Sequence, residues 1–138
     1  MSEDFPIAIF HNPDCGTSRN TLAMIQSAGY EPSVIEYVKE GWTLEKLRHL
    51  LTAMNAKPRH ILREKGTPAA ELGLLADDVS DDNLLEAMVV HPILVNRPIV
   101  VTPKGVKLCR PSEAVLDLLD RKPATFVKED GEFVVPRA

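Results

Sequence analysis

Apolar positions along this chain gather in short continuous runs near both ends and in three- and four-residue spacings through the middle. The run Ile7-Ala8-Ile9-Phe10 breaks at His11-Asn12-Pro13-Asp14, which predicts a short buried strand. A helix over Ser18–Ala28 follows, with Leu22, Ile25 and Ala28 on one face, Met24 to one side, and Gly29 as its stop. Ser33-Val34-Ile35-Glu36-Tyr37-Val38 predicts a second strand. The crossover between the two is long enough for parallel pairing, so the chain opens as a βαβ unit.

Helical spacing takes over next. Thr43 is placed to cap a helix carrying Leu44, Leu47, Leu51 and Met54 on one face. A shorter helix is predicted over Pro58–Lys65, closed by Gly66. Another starts near Ser80, with Asp81-Asp82 in its first turn and Leu84, Leu85, Met88 and Val89 inward, and stops before Pro92. No strand-like alternation appears between Val38 and Ile93, so this stretch is a helical block inserted into a sheet. The sheet resumes at Pro98-Ile99-Val100-Val101, and a Pro103-Lys104-Gly105 turn leads to Val106–Cys109, forming a hairpin. Ser112-Glu113 opens a last helix through Leu119. The polar, Pro-interrupted tail Lys122–Ala138 is expected to be partly mobile. The fold class is therefore α/β.

Composition narrows the picture without naming a function. A length of 138 residues, 44% hydrophobic and 26% charged, fits one domain over 1–138 with an ordinary core. No apolar run approaches a membrane span. Met1-Ser2-Glu3-Asp4 is acidic and carries no basic-apolar leader. Two cysteines far apart predict free thiols in a reducing, cytoplasmic setting. Net charge is −4 and no Lys/Arg block stands out, so neither nucleic acid nor membrane is an expected partner.

Cys15 stands where the first strand gives way to the first helix. Unpaired N–H groups at a helix start favour a thiolate and can also hold an anion. A free thiol with a pKa near ~8.5 is only ~3% ionised at neutrality. A drop of ~2 pKa units requires ~2.7 kcal/mol, while a helix terminus supplies ~0.3–1 kcal/mol, or ~2 when sheltered. Asn12, Thr17 and Ser18 are local hydrogen-bonding candidates for the remainder, and His11 and Arg19 are candidate cations. A free cysteine is often just a small buried hydrophobe. Here the flanking Asn12, Asp14, Gly16, Thr17 and Ser18 are poor core residues, and they favour a reactive thiol. Position 18 is Ser, which excludes a Cys-x-x-Cys dithiol, and Thr21 excludes the phosphatase loop that needs Arg six residues after Cys. Cys109, in a predicted strand, is expected to pack. His49, His60 and His91 show no metal-site spacing.

The run His11-Asn12-Pro13-Asp14-Cys15-Gly16-Thr17-Ser18-Arg19-Asn20-Thr21-Leu22 closely resembles the glutaredoxin-linked arsenate reductases. Arg59-His60-Ile61-Leu62-Arg63, Glu71-Leu72-Gly73-Leu74, His91–Val101 and Leu108-Cys109-Arg110-Pro111-Ser112-Glu113 extend the likeness in order over nearly the whole chain. The resemblance implies a thioredoxin-like fold with a helical insertion between the N-terminal βαβ unit and the C-terminal hairpin and helix. It also implies that Cys15 is the nucleophile, that Arg63, Arg97 and Arg110 bind the oxyanion and its product, and that His11 lowers the thiol pKa. Ser18 would bond the thiolate, and Pro98 would be a cis-proline facing it. On residue chemistry alone, Arg63 at a helix end and Arg110 before Pro111 suit ordinary surface cations, and Arg97 is harder to dismiss.

The implied reaction reduces arsenate to arsenite through a cysteine–arsenic adduct that glutathione and glutaredoxin resolve. Glutathione would be a co-substrate, with no bound cofactor or metal. An alternative is a redox-sensing transcription regulator of related fold that binds RNA polymerase. Such regulators commonly carry Cys-x-x-Cys, and Ser18 counts against that.

Overall fold

The computed structural model describes residues 5–123 and 125–134; the Met1–Asp4 run and the last part of the predicted tail lie outside them. Within those residues, 5–36 with 97–134 form one compact unit and Tyr37–Asn96 another. The first unit holds a sheet of order β2-β1-β3-β4, built from β1 Ala8–His11, β2 Ser33–Glu36, β3 Ile99–Thr102 and β4 Gly105–Leu108. β1 pairs parallel with β2, as the long crossover requires, and antiparallel with β3, with Ile9 opposite Val100. β3 and β4 form the expected hairpin through Gly105, whose φ of +145° favours a residue without a side chain. A thioredoxin-like sheet with a helical insertion between β2 and β3 is the arrangement the resemblance implies.

Helix α1, Gly16–Ser27, crosses this sheet. Ile7, Ile9 and Val100 pack with Met24, Ile25 and Ala28, and with Cys109, Val115, Leu116, Leu118 and Leu119. Its inward face differs from the one expected. Ser18, Thr21, Met24 and Ile25 are buried, while Leu22 is half-buried. The reason is that both hydroxyls are satisfied, Ser18 by His11 and the Asn12 amide and Thr21 by donating to the Thr17 carbonyl at 2.8 Å. An apolar pattern alone therefore mis-centres the face.

The second unit is helical. Thr43 caps α3, Leu44–Met54, by accepting the Lys46 amide at 3.1 Å, and Asn55 ends it in the left-handed region at φ 53°. Ser80 caps α4, Asp81–Val90, in the same way through Asn83, with Asp81 and Asp82 in the first turn. Leu47, Leu84 and Met88 are fully buried, and Val89 is half-buried. No helix among the described residues is long and apolar enough to cross a membrane.

Four further expectations are corrected. Tyr37 and Val38 leave the second strand for a short helix, α2 Tyr37–Glu40, because the Tyr37 hydroxyl donates to the Val95 carbonyl at 2.6 Å and its ring is buried. The helix expected at Pro58–Lys65 is only a 3-10 turn, Pro58–Ile61. Leu62 pairs with Val95 instead, and the Arg63 amide donates to the Leu94 carbonyl at 2.7 Å. The last helix is 3-10 throughout, Ser112–Leu118, tightened by three-residue bonds such as Ala114 to Pro111 at 3.0 Å. The tail carries a two-stranded ribbon of β5 Phe126–Val127 and β6 Phe133–Val134, turned at Gly131. Val134 reaches the core cluster, which anchors the ribbon.

Met24→Ala removes a side chain with 0% exposure. Urea unfolding should show a loss of about 2–5 kcal/mol.

Candidate active site

β1 delivers His11 and Asn12 into a short turn that ends at Cys15. The Asp14 amide donates to Asn12 Oδ1 at 2.9 Å, and the Cys15 amide donates to the Asn12 carbonyl at 3.1 Å. These bonds close an Asx-type turn and leave Cys15 extended, at φ −105° and ψ 120°, as the N-cap of α1. Its sulfur is thereby placed at the positive end of a twelve-residue helix.

Ser18 locks the turn from inside the helix. It is fully buried, and its Oγ accepts the Asn12 amide at 3.1 Å and lies 2.6 Å from His11 Nδ1. Burial holds the His11 pKa below its ordinary value; Glu36 opposes this and Arg19 adds to it. With the imidazole neutral, Nδ1 can accept the Ser18 hydroxyl proton. What Ser18 offers the sulfur is its backbone amide, while its hydroxyl is engaged with His11. Burial thus works against a cationic His11, whose Nδ1 is engaged by the Ser18 hydroxyl group. Arg19, the other local cation, is committed to Glu129, with its Nε 2.8 Å from that carboxylate.

Two arginines from the second half of the sequence complete the site. Arg97 is 9% exposed and its guanidinium hydrogen-bonds to the Cys15 sulfur. Arg110 Nη1 lies 3.7 Å from that sulfur and donates to the Arg97 carbonyl at 2.8 Å, so the Arg97 backbone holds the Arg110 side chain. Both precede cis-prolines, Pro98 and Pro111; the first was expected. The thiol responds to opposing influences. Burial penalises the anion, but the Ser18 amide, the hydrogen bonds from Arg97 and Arg110, and the Arg97 charge outweigh it. Together they lower the Cys15 pKa from 9.0 to about 7. A weak-field helix start alone could not do this; the guanidinia close the gap.

Arg63 belongs to the helical unit. It is half-buried there, with Nη1 donating to Asn96 Oδ1 at 3.4 Å and Nε to the Lys65 carbonyl at 3.2 Å. Cys109 packs as expected: it is fully buried, and burial pushes its thiol up to about 12. Among the described residues, no group of three or more His, Cys, Asp and Glu side chains suits a metal ion. The arrangement joins a half-ionised sulfur at neutral pH to two planar cations, which together can attack and hold a tetrahedral oxyanion.

A profile of the ArsC family matches residues 10–118. This chain belongs to that family. It is 62% identical over 136 residues to arsenate reductase ArsI1 of Synechocystis sp., which covers 98% of this chain and 94% of that protein. It is 52% identical over 133 residues to the arsenate reductase of Escherichia coli (strain K12), covering 96% and 94% respectively. The solved arsenate reductase of Vibrio cholerae superposes with a TM-score of 0.79 at 38% identity, covering 83% of this chain and 98% of that one. The ArsC match thus spans Cys15, Arg63, Arg97 and Arg110 alike.

Iodoacetamide should modify Cys15 with a midpoint near pH 7, because the reactive thiolate forms as pH rises through its lowered pKa of about 7. Cys109, pushed up to about 12, should stay unmodified until the protein unfolds. Arg110→Ala removes one stabilising contact and should move the Cys15 midpoint upward.

Proposed function

We propose that this ArsC protein reduces arsenate to arsenite, with Cys15 as nucleophile and Arg97 and Arg110 as oxyanion ligands. One observation carries the proposal: both guanidinia meet the sulfur of a thiol whose pKa lies at about 7. A substrate entering between them finds its charge paired and its arsenic facing a thiolate. Its near relatives bear the name arsenate reductase, which supports this choice of oxyanion. Arg63 is the third oxyanion ligand in this scheme, on the strength of the family resemblance.

The Cys15 thiolate attacks dihydrogen arsenate, an S–As bond forms, and one As–O bond breaks, its oxygen leaving as water with an added proton. Arg97 and Arg110 hold the charge that develops on the remaining oxygens. Glutathione sulfur then attacks the Cys15 sulfur. The S–As pair returns to arsenic, which goes from As(V) to As(III) and departs as arsenite, taking up the glutathione proton. Two thiol sulfurs are oxidised to a Cys15–glutathione disulfide, which balances the two electrons. Glutaredoxin thiol exchange frees the Cys15 thiolate for the next cycle. Such chemistry suits a reducing compartment such as the cytoplasm.

The test is arsenate-dependent NADPH consumption coupled through glutathione, glutathione reductase and glutaredoxin. Wild type should turn over and Cys15→Ser should be inactive; activity in that variant would sink the scheme. Arg97→Lys keeps the charge but loses the planar fork, and should raise the KM for arsenate about tenfold. An unchanged KM would remove Arg97 from the substrate-binding set.

A further inference from the structure

The cation at position 19 still feels the Cys15 charge, but it is held from the far end of the sequence. Arg19 Nε and Nη2 meet Glu129 Oε2 and Oε1 at 2.8 and 3.0 Å, a paired fork. The third nitrogen, Nη1, donates to the Pro13 carbonyl at 2.8 Å, in the turn that ends at Cys15. The Glu129 amide donates to Asn20 Oδ1 at 3.0 Å, so both backbone and side chain of this ribbon residue grip α1. The ion pair lies over Gly16, the residue after Cys15: a Cβ there would sit 3.7 Å from Arg19 Nη2 and from Glu129 Oε1.

Ribbon placement is itself fixed. Lys128 Nζ meets Glu113 at 2.7 Å and Glu132 at 3.1 Å, and the Gly131 amide donates to the Lys128 carbonyl at 2.9 Å. Glu113 follows Ser112, whose hydroxyl donates to the Thr17 carbonyl at 3.0 Å in the first turn of α1. The ribbon turn therefore touches the start of the cysteine helix directly and through the 3-10 segment. An exposed ion pair alone adds little to stability, and Arg19 and Glu129 are 44% and 48% exposed. Stability is thus a poor account of a paired fork whose third nitrogen is spent on the nucleophile's own turn.

We propose that Glu129 is a positioning residue of the Cys15 site: through Arg19 it pins the Pro13 carbonyl and so fixes the turn that presents the sulfur. This rests on the proposed arsenate chemistry only for its effect on turnover. Its effect on the thiol needs no substrate. The turn aims the sulfur at the Ser18 amide and the two arginines. Freed from Arg19, it lets those contacts lengthen.

The direction of the change separates positioning from simple charge. Losing a nearby carboxylate would by itself favour the thiolate and lower the alkylation midpoint; losing the pinned geometry raises it. In Glu129→Ala the Cys15 iodoacetamide midpoint should rise by about half a pH unit, and kcat with arsenate should fall about fivefold with KM little changed. The double variant Arg19→Glu/Glu129→Arg restores an ion pair to the ribbon but leaves no donor for the Pro13 carbonyl. It should behave like Glu129→Ala. A midpoint that stays or falls in Glu129→Ala, or a wild-type profile in the charge-swapped variant, overturns the proposal. If Glu129→Ala does not fold, the near-isosteric Glu129→Gln provides the same comparison. A wild type inert toward arsenate would defeat the reduction scheme and leave the alkylation arm intact.

Discussion

A sulfur anion at a buried position is the constraint on which this site depends. Burial alone would drive the Cys15 thiol upward, as it does at Cys109, where the pKa reaches about 12. The two thiols are chemically identical, and their surroundings set them apart. Cys15 faces a helix amide and two guanidinia; Cys109 lies among Ile9, Val100 and Val115 in an apolar cluster, with a single 3.7 Å contact to the Lys107 carbonyl. One is thereby made a nucleophile near neutrality and the other an inert packing group.

Much of the frame around that sulfur was legible because its causes are local. Thr43 and Ser80 cap α3 and α4 through bonds spanning three residues, and the β3–β4 hairpin follows from a Pro-Lys-Gly turn. What could not be read depends on distant partners. Tyr37 leaves the strand pattern because its hydroxyl is satisfied 58 residues away at Val95. Leu62 abandons a helical spacing for a bridge to the same residue. The Phe126–Val134 ribbon did carry a local signal, Asp130-Gly131 between two apolar pairs, which a low-hydrophobicity tail obscured.

The site divides in the same way. Cys15 was legible from the meeting of a strand and a helix, and Arg97 from its place at the mouth of an apolar strand. That Arg110 touches the sulfur is a contact over 95 residues, invisible to spacing. His11 and Arg19 looked like cations for the thiol because they are near it in sequence. Burial disfavours the charged form of the first, and a carboxylate 110 residues on captures the second. Proximity in sequence identified the residues, and distant partners set how each of them is held.

The same geometry explains why the proposed cycle must end outside the chain. A local resolving thiol would have to stand near the helix start, and the position three residues after Cys15 is filled by Ser18, whose hydroxyl is bound to His11 and the Asn12 amide. A thiol in its place would be a weaker hydrogen-bonding partner for both. Cys109 cannot substitute, since it is fully buried and far too weak an acid to ionise near neutrality. With Ser18 at that position and Cys109 buried, the proposed cycle draws the electrons that complete the reduction from a separate, diffusing thiol.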